Sequence, residues 1–562
     1  MLVILDNEGG RQVFRQPRAL ITAASPAQVP AALAALEAVL ASGGHVAGWL
    51  GYELGYALEP RLAGRVRPDG PLLMLGVFDA PAAEAPPPAG RAWAGPLTRE
   101  WDGDAYAARF AGVKDYIAAG DIYQANLSFR ARFAFAGDAR ALYETLHAAA
   151  AAPHCAYVDD GTRQIASLSP ELFFEIARDG TITARPMKGT APRDGDDAAG
   201  RAALAASEKN RAENLMIVDL IRNDLSRIAA PGSVAVRDLF QVETYPTLHT
   251  MVSTVTATVR AGATPADILR ALFPCGSVTG APKIRAMEIL RELESSPRGA
   301  YCGAVGYFAP DGSARFNVAI RTLTIADGQG ELGIGGGVVQ DSQAAGEYDE
   351  CLLKARFFDS ARRPLELLET LRHESGFVRL DAHLARLAKS AAVFGIAFDD
   401  AAIRATLEAA VAGAQGALRV RLALDEGGVP HVTTAPLLPN PPTWSFALSP
   451  RPVQSGDLLQ QHKTSWRELY DGEAARLGAD EVVFLNERGE VAEGARSNIF
   501  VKRDGILLTP PLSAGALPGI LRAELLVTGQ AREATLTPDD LKGEFCFGNS
   551  LRGLIGASIP SP

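Results

Sequence analysis

The chain has 562 residues, 47% of them hydrophobic and 21% charged, and a net charge of −10; it is too long for one core, so about two to four globular domains are expected. Acidic and basic residues are dispersed, which argues against a nucleic-acid partner, and no apolar run reaches the ~18 residues of a membrane span. The opening MLVILDNEGGRQVFRQ has no export-signal pattern, and the five cysteines are odd in number, widely spaced and without a CxxC. A reduced cytoplasm is therefore expected, without a disulfide framework or zinc site.

In chain order, residues 79–96 (DAPAAEAPPPAGRAWAGP) read as a connector between an N-terminal segment, 1–95, and a larger region over 104–357. Residues 104–133 predict a helix, a Gly-Asp break and a strand. The run Thr181–Thr183 predicts a strand that ends at Pro186, after which Lys188 stands in PMKGT; by position alone it is a solvated loop lysine. Residues 207–228 carry apolar residues at helical spacing, and 312–342 predict two strands followed by a glycine-rich turn, GIGGGVVQDS. A boundary falls near 357–371, separating residues 1–360 from 361–562. Beyond it, 377–396 predicts a helix, 417–437 a hairpin turning at Glu426-Gly427-Gly428, and LPNPPTW a hinge between two subdomains.

Some of these segments carry candidate chemistry. On the 207–228 helix Asn210 and Glu213 share a face, and in GEYDECLLKARF Glu347, Glu350 and Lys354 stand at i, i+3 and i+7. Each face alone reads as solvated charge. Glu213, however, adjoins the apolar run Leu215–Val218, where a carboxylate needs a cation or donors. Two such helices face to face would offer oxygen ligands to Mg²⁺. GIGGGVVQDS and CGSVTGAPK present backbone N–H groups suited to an anion, but match neither common phosphate-loop pattern.

The ordered series GDIYQANLS, SPELFF, RPMKGTAPR, RAENLMIVDLIRNDLSRI, LHTMVSTV, CGSVTGAPKIRAMEIL, RGAYCGAVGYF, AIRTL, GGGVVQDS and EYDECLLKA resembles the chorismate-utilising enzymes over residues 104–357. The resemblance implies an α+β fold whose large antiparallel sheets enclose a site for Mg²⁺ and chorismate. It implies Glu213 and Glu350 as Mg²⁺ ligands supported by Glu347. Tyr301, Arg321 and Gly335-Gly336-Gly337 would grip substrate carboxylates, with Lys354, His249 and Thr279 in or near the site. Where relatives carry an acidic residue three before the metal Glu, this chain has Asn210. Members that form anthranilate have alanine at the Lys188 position, whereas those that aminate C4 have lysine in P-I-K-G-T. The resemblance thus implies Lys188 as a nucleophile and Glu171 as the acid for the leaving hydroxyl. None of the five cysteine contexts resembles a glutaminase elbow, so a separate glutamine amidotransferase is expected to supply ammonia.

In the last 200 residues, LLQQHKTSWRELY, then EVAEGARSNIF about thirty residues on, then LPGILR, resemble the fold-type IV pyridoxal phosphate enzymes. By that resemblance Lys463 holds the cofactor and transfers protons, and Glu493 pairs with the pyridine nitrogen. Arg386 and the backbone N–H groups of Ile520 and Leu521 would take the phosphate. Asn549 stands at a later phosphate-contact position, where many relatives have Thr, and Thr370 would place a hydroxyl near the reacting carbon. A homodimer through this unit is compatible with the resemblance. Together the two units imply conversion of chorismate to 4-aminobenzoate: amination at C4, then elimination of pyruvate. The alternatives are an anthranilate synthase component fused to a branched-chain or D-amino acid aminotransferase-like domain, and a non-catalytic scaffold for the glutaminase.

Overall fold

The computed structural model describes residues 1–67, 70–193, 196–245 and 248–558. They form two compact units: residues 1–87, 96–133 and 143–361 make the first, and 88–95, 134–142 and 362–562 the second. Residues 88–95, the end of the Pro/Ala-rich stretch, thus belong to the second unit. There Arg91 Nε donates to Asp457 Oδ2 at 2.7 Å and Trp93 Nε1 to Glu426 Oε1 at 2.9 Å.

The first unit is built on two large sheets. One has a hydrogen-bonded path through 280–281, 124–137, 329–338, 322–326, 164–169, 154–159, 2–7 and 10–15. The other runs 187–192, 248–258, 181–185, 172–176, 314–318, 304–308, 45–50, 73–78 and 19–23. The first 95 residues thus supply strands to both sheets. Pairings such as Leu2–Asn7 with His154–Asp159 and Ala304–Phe308 with Ala314–Val318 are antiparallel. A single core of Leu33, Leu50, Phe174, Ile217, Val255, Leu269 and Phe316 packs the helices against the second sheet.

Two helices matter for the site. Glu208–Ser226 starts where Ser207 Oγ accepts from the N–H of Asn210, an N-cap at the expected boundary. It is pinned along its buried face by Asn214, whose Oδ1 accepts from Ser253 Oγ at 2.5 Å. Ala344–Ala361 buries Glu347, Cys351, Ala355 and Phe358, again at helical spacing.

Two sequence expectations change. GIGGGVV is the end of a strand, Gln329–Val338, not a turn. Three of its glycines, Gly333, Gly335 and Gly337, lie where neighbouring groups come within 3.0 Å of the place a Cβ would take. Lys188 does not sit in a loop either. After the break at Pro186 the chain re-enters the sheet as Met187–Pro192, and the register slips between Met187 and Thr190. Gly189, at φ +88°, occupies that bulge.

The second unit has two sheets, in keeping with two subdomains. A three-stranded antiparallel sheet (367–373, 418–424, 430–436) is covered by the helices Leu380–Val393 and Asp400–Val411. An eight-stranded mixed sheet follows, with Thr443–Leu448 parallel to both Glu481–Leu485 and Gly553–Ser558. All five cysteines are free thiols. No helix among the described residues is long and apolar enough to cross a membrane.

Candidate active site

Each unit holds a cavity whose focus is a buried lysine. In the first unit a cavity of about 230 Å³ is lined by Lys188, Glu171, Glu213, Glu347, Glu350, Lys354, Tyr301, Arg321, Gly335 and Gly337, together with Asn126, Lys209 and Ser277. The sheet bulge turns the Lys188 amine inward. Burial lowers its pKa from that of an ordinary lysine; Glu213 opposes the shift and Lys354 adds to it. Glu171 is buried too, and loss of water pushes its carboxyl up to about 7, against the hydrogen bond from Ser277 Oγ at 2.7 Å. The cavity therefore pairs an amine inclined to lose its proton with a carboxyl inclined to keep one, an arrangement characteristic of reactive centres.

The three carboxylates expected to bind metal face the same space. Burial raises the pKa of Glu213, with Lys188 and Lys209 working against it and Glu347 and Glu350 adding to it. Glu350 is held 2.9 Å from Lys354 Nζ, which outweighs burial and lowers its pKa. Glu347 Oε1 accepts from Ser342 Oγ at 2.6 Å. Two carboxylates close enough to raise the pKa of a third suit a hard divalent cation. They nevertheless stand apart: among the described residues no group of three or more His, Cys, Asp or Glu converges on one metal-sized point.

The glycine run has a steric role that its sequence did not show. A Cβ on Gly333 would fall 2.1 Å from the Tyr301 ring, and one on Gly335 2.4 Å from Ser128 Oγ. On Gly337 it would meet Lys188 Nζ at 2.7 Å and Gln124 Nε2 at 2.8 Å. Gly336 is not among the lining residues; a Cβ there would make ordinary contact with Lys354 Nζ at 3.5 Å and Glu347 Oε2 at 3.6 Å. Arg321 lines the cavity with no carboxylate partner among the described residues, its carbonyl accepting from Leu168 N–H.

His249 and Thr279 are fully buried but do not line the cavity. His249 turns to Thr244 Oγ1, 2.9 Å, and Asp197 Oδ1, 3.3 Å, while Thr279 Oγ1 donates to the carbonyl of Gly276 at 3.0 Å. Asn126 and Ser277 were passed over in the sequence reading. Their signal was a polar side chain inside an otherwise buried stretch of GDIYQANLS and CGSVTG.

In the second unit a cavity of about 740 Å³ is lined by Lys463, Glu493, Arg386, Thr370, Ile520 and Asn549. Lys463 follows a short 3₁₀ turn, and its carbonyl accepts from Leu368 N–H at 2.8 Å, tying the segment to the small sheet. Burial, aided by Arg467 and Arg386, lowers its amine to about 8. Glu493 ends the strand Val491–Gly494, and burial raises its carboxyl to about 7 although Tyr470 Oη, at 2.5 Å, and Leu517 N–H, at 2.8 Å, both donate to it.

Arg386 makes a two-pronged contact with Glu369, at 2.9 and 2.6 Å, and a further bond to the Pro518 carbonyl. Burial alone would raise Glu369, but Arg386 and His383 hold it at about 2. His383 reaches on to Ser550 Oγ at 2.8 Å. This Glu369-His383-Ser550 chain was not legible in the sequence, because its members are 14 and 167 residues apart. The helix Ile520–Val527 begins at the cavity with first-turn N–H groups that have no acceptor within the helix. Leu521 packs its side chain into a small core with Phe500 and Leu525. A buried amine, a buried carboxyl and a helix N-terminus around one space fit an aromatic aldehyde bearing a phosphate.

Comparison with known proteins agrees with this division. Residues 3–360 match the family of chorismate binding enzymes, and residues 366–559 match the amino-transferase class IV family. The chain is 45% identical over 282 residues to aminodeoxychorismate synthase component 1 of Klebsiella aerogenes, a match covering 50% of this chain and 60% of that protein. It is 40% identical over 265 residues to anthranilate synthase component 1 of Streptomyces coelicolor, covering 46% and 52%. The crystal structure of anthranilate synthase component I from Streptococcus pneumoniae superposes with a TM-score of 0.52 at 25% identity, covering 63% of this chain and 89% of that one. The chain thus spans at most about 60% of the length of these curated relatives. With nearly two-thirds of its length matched, the protein belongs to the chorismate binding enzymes, and its remaining third carries a class IV amino-transferase domain.

Proposed function

We propose that the protein makes 4-aminobenzoate from chorismate in two steps, amination at C4 in the first unit and elimination of pyruvate in the second. The observation that carries this reading is the Lys188 amine, buried and stripped of part of its basicity, in one cavity with the protonatable Glu171. Losing a ring hydroxyl is easier if a nucleophile first adds elsewhere on the conjugated ring. The neutral Lys188 amine adds at C2, the ring double bonds shift, and the C4–O bond breaks as Glu171 gives its proton to the departing hydroxide, releasing water. Ammonia then bonds to C4, the double bonds shift back, and the C2–N bond breaks to return Lys188 as a free amine. Arg321 and Tyr301 would hold the substrate carboxylates. Glu213, Glu347 and Glu350 would hold Mg²⁺, which supplies positive charge to bind and polarise an anionic substrate. Ammonia would come from a separate glutamine amidotransferase, consistent with the "component 1" in the name of the Klebsiella relative.

In the second unit Lys463 would bind pyridoxal phosphate, with Glu493 at its ring nitrogen and Arg386, Ile520 and Leu521 at its phosphate. Bound there, the cofactor supplies an electron sink for cleavage beside the amino group. Lys463 moves the C4 proton beside the Thr370 hydroxyl, Asn549 would add a contact to the cofactor phosphate, and departure of pyruvate makes the ring aromatic.

The test is the product formed from chorismate, Mg²⁺ and an ammonium salt. The expected product is 4-aminobenzoate, and Lys188→Ala should abolish its formation while leaving the second unit competent on supplied 4-amino-4-deoxychorismate. Formation of 2-aminobenzoate would overturn the reading in favour of anthranilate chemistry. Unconsumed chorismate would favour a non-catalytic scaffold.

A further inference from the structure

Gln124 opens the strand Gln124–Gly137 and is 1% exposed. A carboxamide offers two N–H donors and an accepting oxygen. Neither Nε2 nor Oε1 of Gln124 has a hydrogen-bond partner among the described residues. Such wholly unpartnered buried amides are rare, and each calls for an occupant that the protein atoms do not provide. Packing alone would be served by an apolar residue here, as at the flanking positions Ile122, Ala125 and Leu127, all buried.

The amide head lies beside the Lys188 amine: a Cβ on Gly337 would fall 2.8 Å from Gln124 Nε2 and 2.7 Å from Lys188 Nζ, so both heads stand on the same side of that glycine. Gly337 lines the same cavity as Lys188 and Glu171. The amide head and the amine are thus neighbours at the wall of that cavity, and a side chain at residue 337 would crowd both.

We propose that Gln124 is the seat of the ammonia that enters at C4, an inference that rests on Lys188 being the nucleophile as read above. Ammonia donates an N–H to the unused carboxamide oxygen, which leaves its single lone pair free to attack. An uncharged amide also suits the neutral molecule. A carboxylate at this position would favour ammonium, which has no lone pair to attack with. Held beside Lys188, the ammonia nitrogen forms its bond to C4 as the C2–N bond to Lys188 breaks. The positive charge passes from the departing lysine nitrogen to the new amine, so no further proton carrier is needed.

The experiment measures amination by the full chain with ammonium salts, varying ammonia and chorismate separately, for the wild type, Gln124→Leu and Gln124→Met. The expected result is a KM for ammonia raised by about tenfold, the scale of a lost hydrogen-bonded site. The KM for chorismate should stay within about twofold, and thermal stability should not fall, because each variant removes unpartnered polar atoms. An unchanged KM for ammonia in a folded variant would overturn the proposal, as would a parallel rise in both KM values. A wild type that makes no 4-aminobenzoate overturns the parent reading and this one with it. If Lys188→Ala is inactive while Gln124→Leu keeps its ammonia dependence, only the ammonia seat is lost.

Discussion

Gly337 and Lys188 come from different sheets, yet a Cβ on the glycine would lie 2.7 Å from the lysine Nζ. The backbone at Gly337 is not in the left-handed region, so an alanine there is strained only by what it meets. What it meets are the far ends of two flexible side chains, Lys188 and Gln124, which can shift aside at small cost to the fold. Gly337→Ala should therefore leave thermal stability nearly unchanged while slowing 4-aminobenzoate synthesis by about 100-fold, the usual penalty for displacing a reacting atom by an ångström or so. Synthesis at the wild-type rate would show that the amine need not sit where the structure puts it.

Glu171 sets the pH dependence of the first step. Its acid form is the proton donor, and its pKa is about 7, raised by burial. The rate should fall as pH rises through about 7 and Glu171 ionises. At lower pH it should fall as Lys188, itself lowered by burial, takes up a proton. Glu171→Gln should cost about 10²–10⁴ in kcat and remove the alkaline limb near pH 7. A variant that keeps that limb would assign it to another group.

Lys463 should govern capture of pyridoxal phosphate by the cofactor-free protein. With its amine at about 8, the uncharged form that condenses with an aldehyde grows as pH rises through that value. The rate of capture, followed by absorbance, should rise over the same interval. Lys463→Ala should develop no protein-bound chromophore, and borohydride should fix the cofactor to the wild type alone.

Arg419 and Arg496 line the same cavity, and neither guanidinium makes a salt bridge among the described residues, although Arg496 lies near enough to lower the pKa of Glu481. Two such cations match the two carboxylates of a chorismate-derived substrate. Replacing either by Gln should raise KM for 4-amino-4-deoxychorismate by about tenfold without altering the absorbance of the bound cofactor. Equal KM values in the wild type and both variants would place the substrate carboxylates elsewhere.

Arg298 supports the wall of the first cavity. It is 2% exposed, its Nη2 lies 2.6 Å from Glu294 Oε1, it donates to the carbonyls of Val278 and Asn126, and it stacks over Tyr52. Arg298→Ala leaves Glu294 buried without its counter-charge, at a cost of about 3–5 kcal/mol. Calorimetry should show a lowered unfolding midpoint for the first unit. A loss below about 1 kcal/mol would mean that water reaches Glu294.

Much of this was legible in the sequence, because helix faces and motif order are local properties. The boundary at Ser207, the helical spacing of Glu347, Glu350 and Lys354, and the succession from GDIYQANLS to EYDECLLKA could be read without coordinates. So could the hairpin turning at Glu426–Gly428. The environments of the two lysines could not. Whether an amine is solvated or desolvated depends on what covers it, and Lys188 is covered by residues as distant as Gly337 and Glu350. Hence its sheet bulge read as a loop, and the glycine run, which makes room for Tyr301, Ser128 and Lys188, read as a turn. His249 and Thr279 stand in suggestive motifs yet do not line the cavity. A strand fixes which residues share a face with His249 but not which face meets the substrate. Thr279 ends a 3₁₀ turn whose own carbonyl takes its hydroxyl. Gln124 is unremarkable in GDIYQANLS. Only the fold, by burying its amide and leaving it no partner, singles it out.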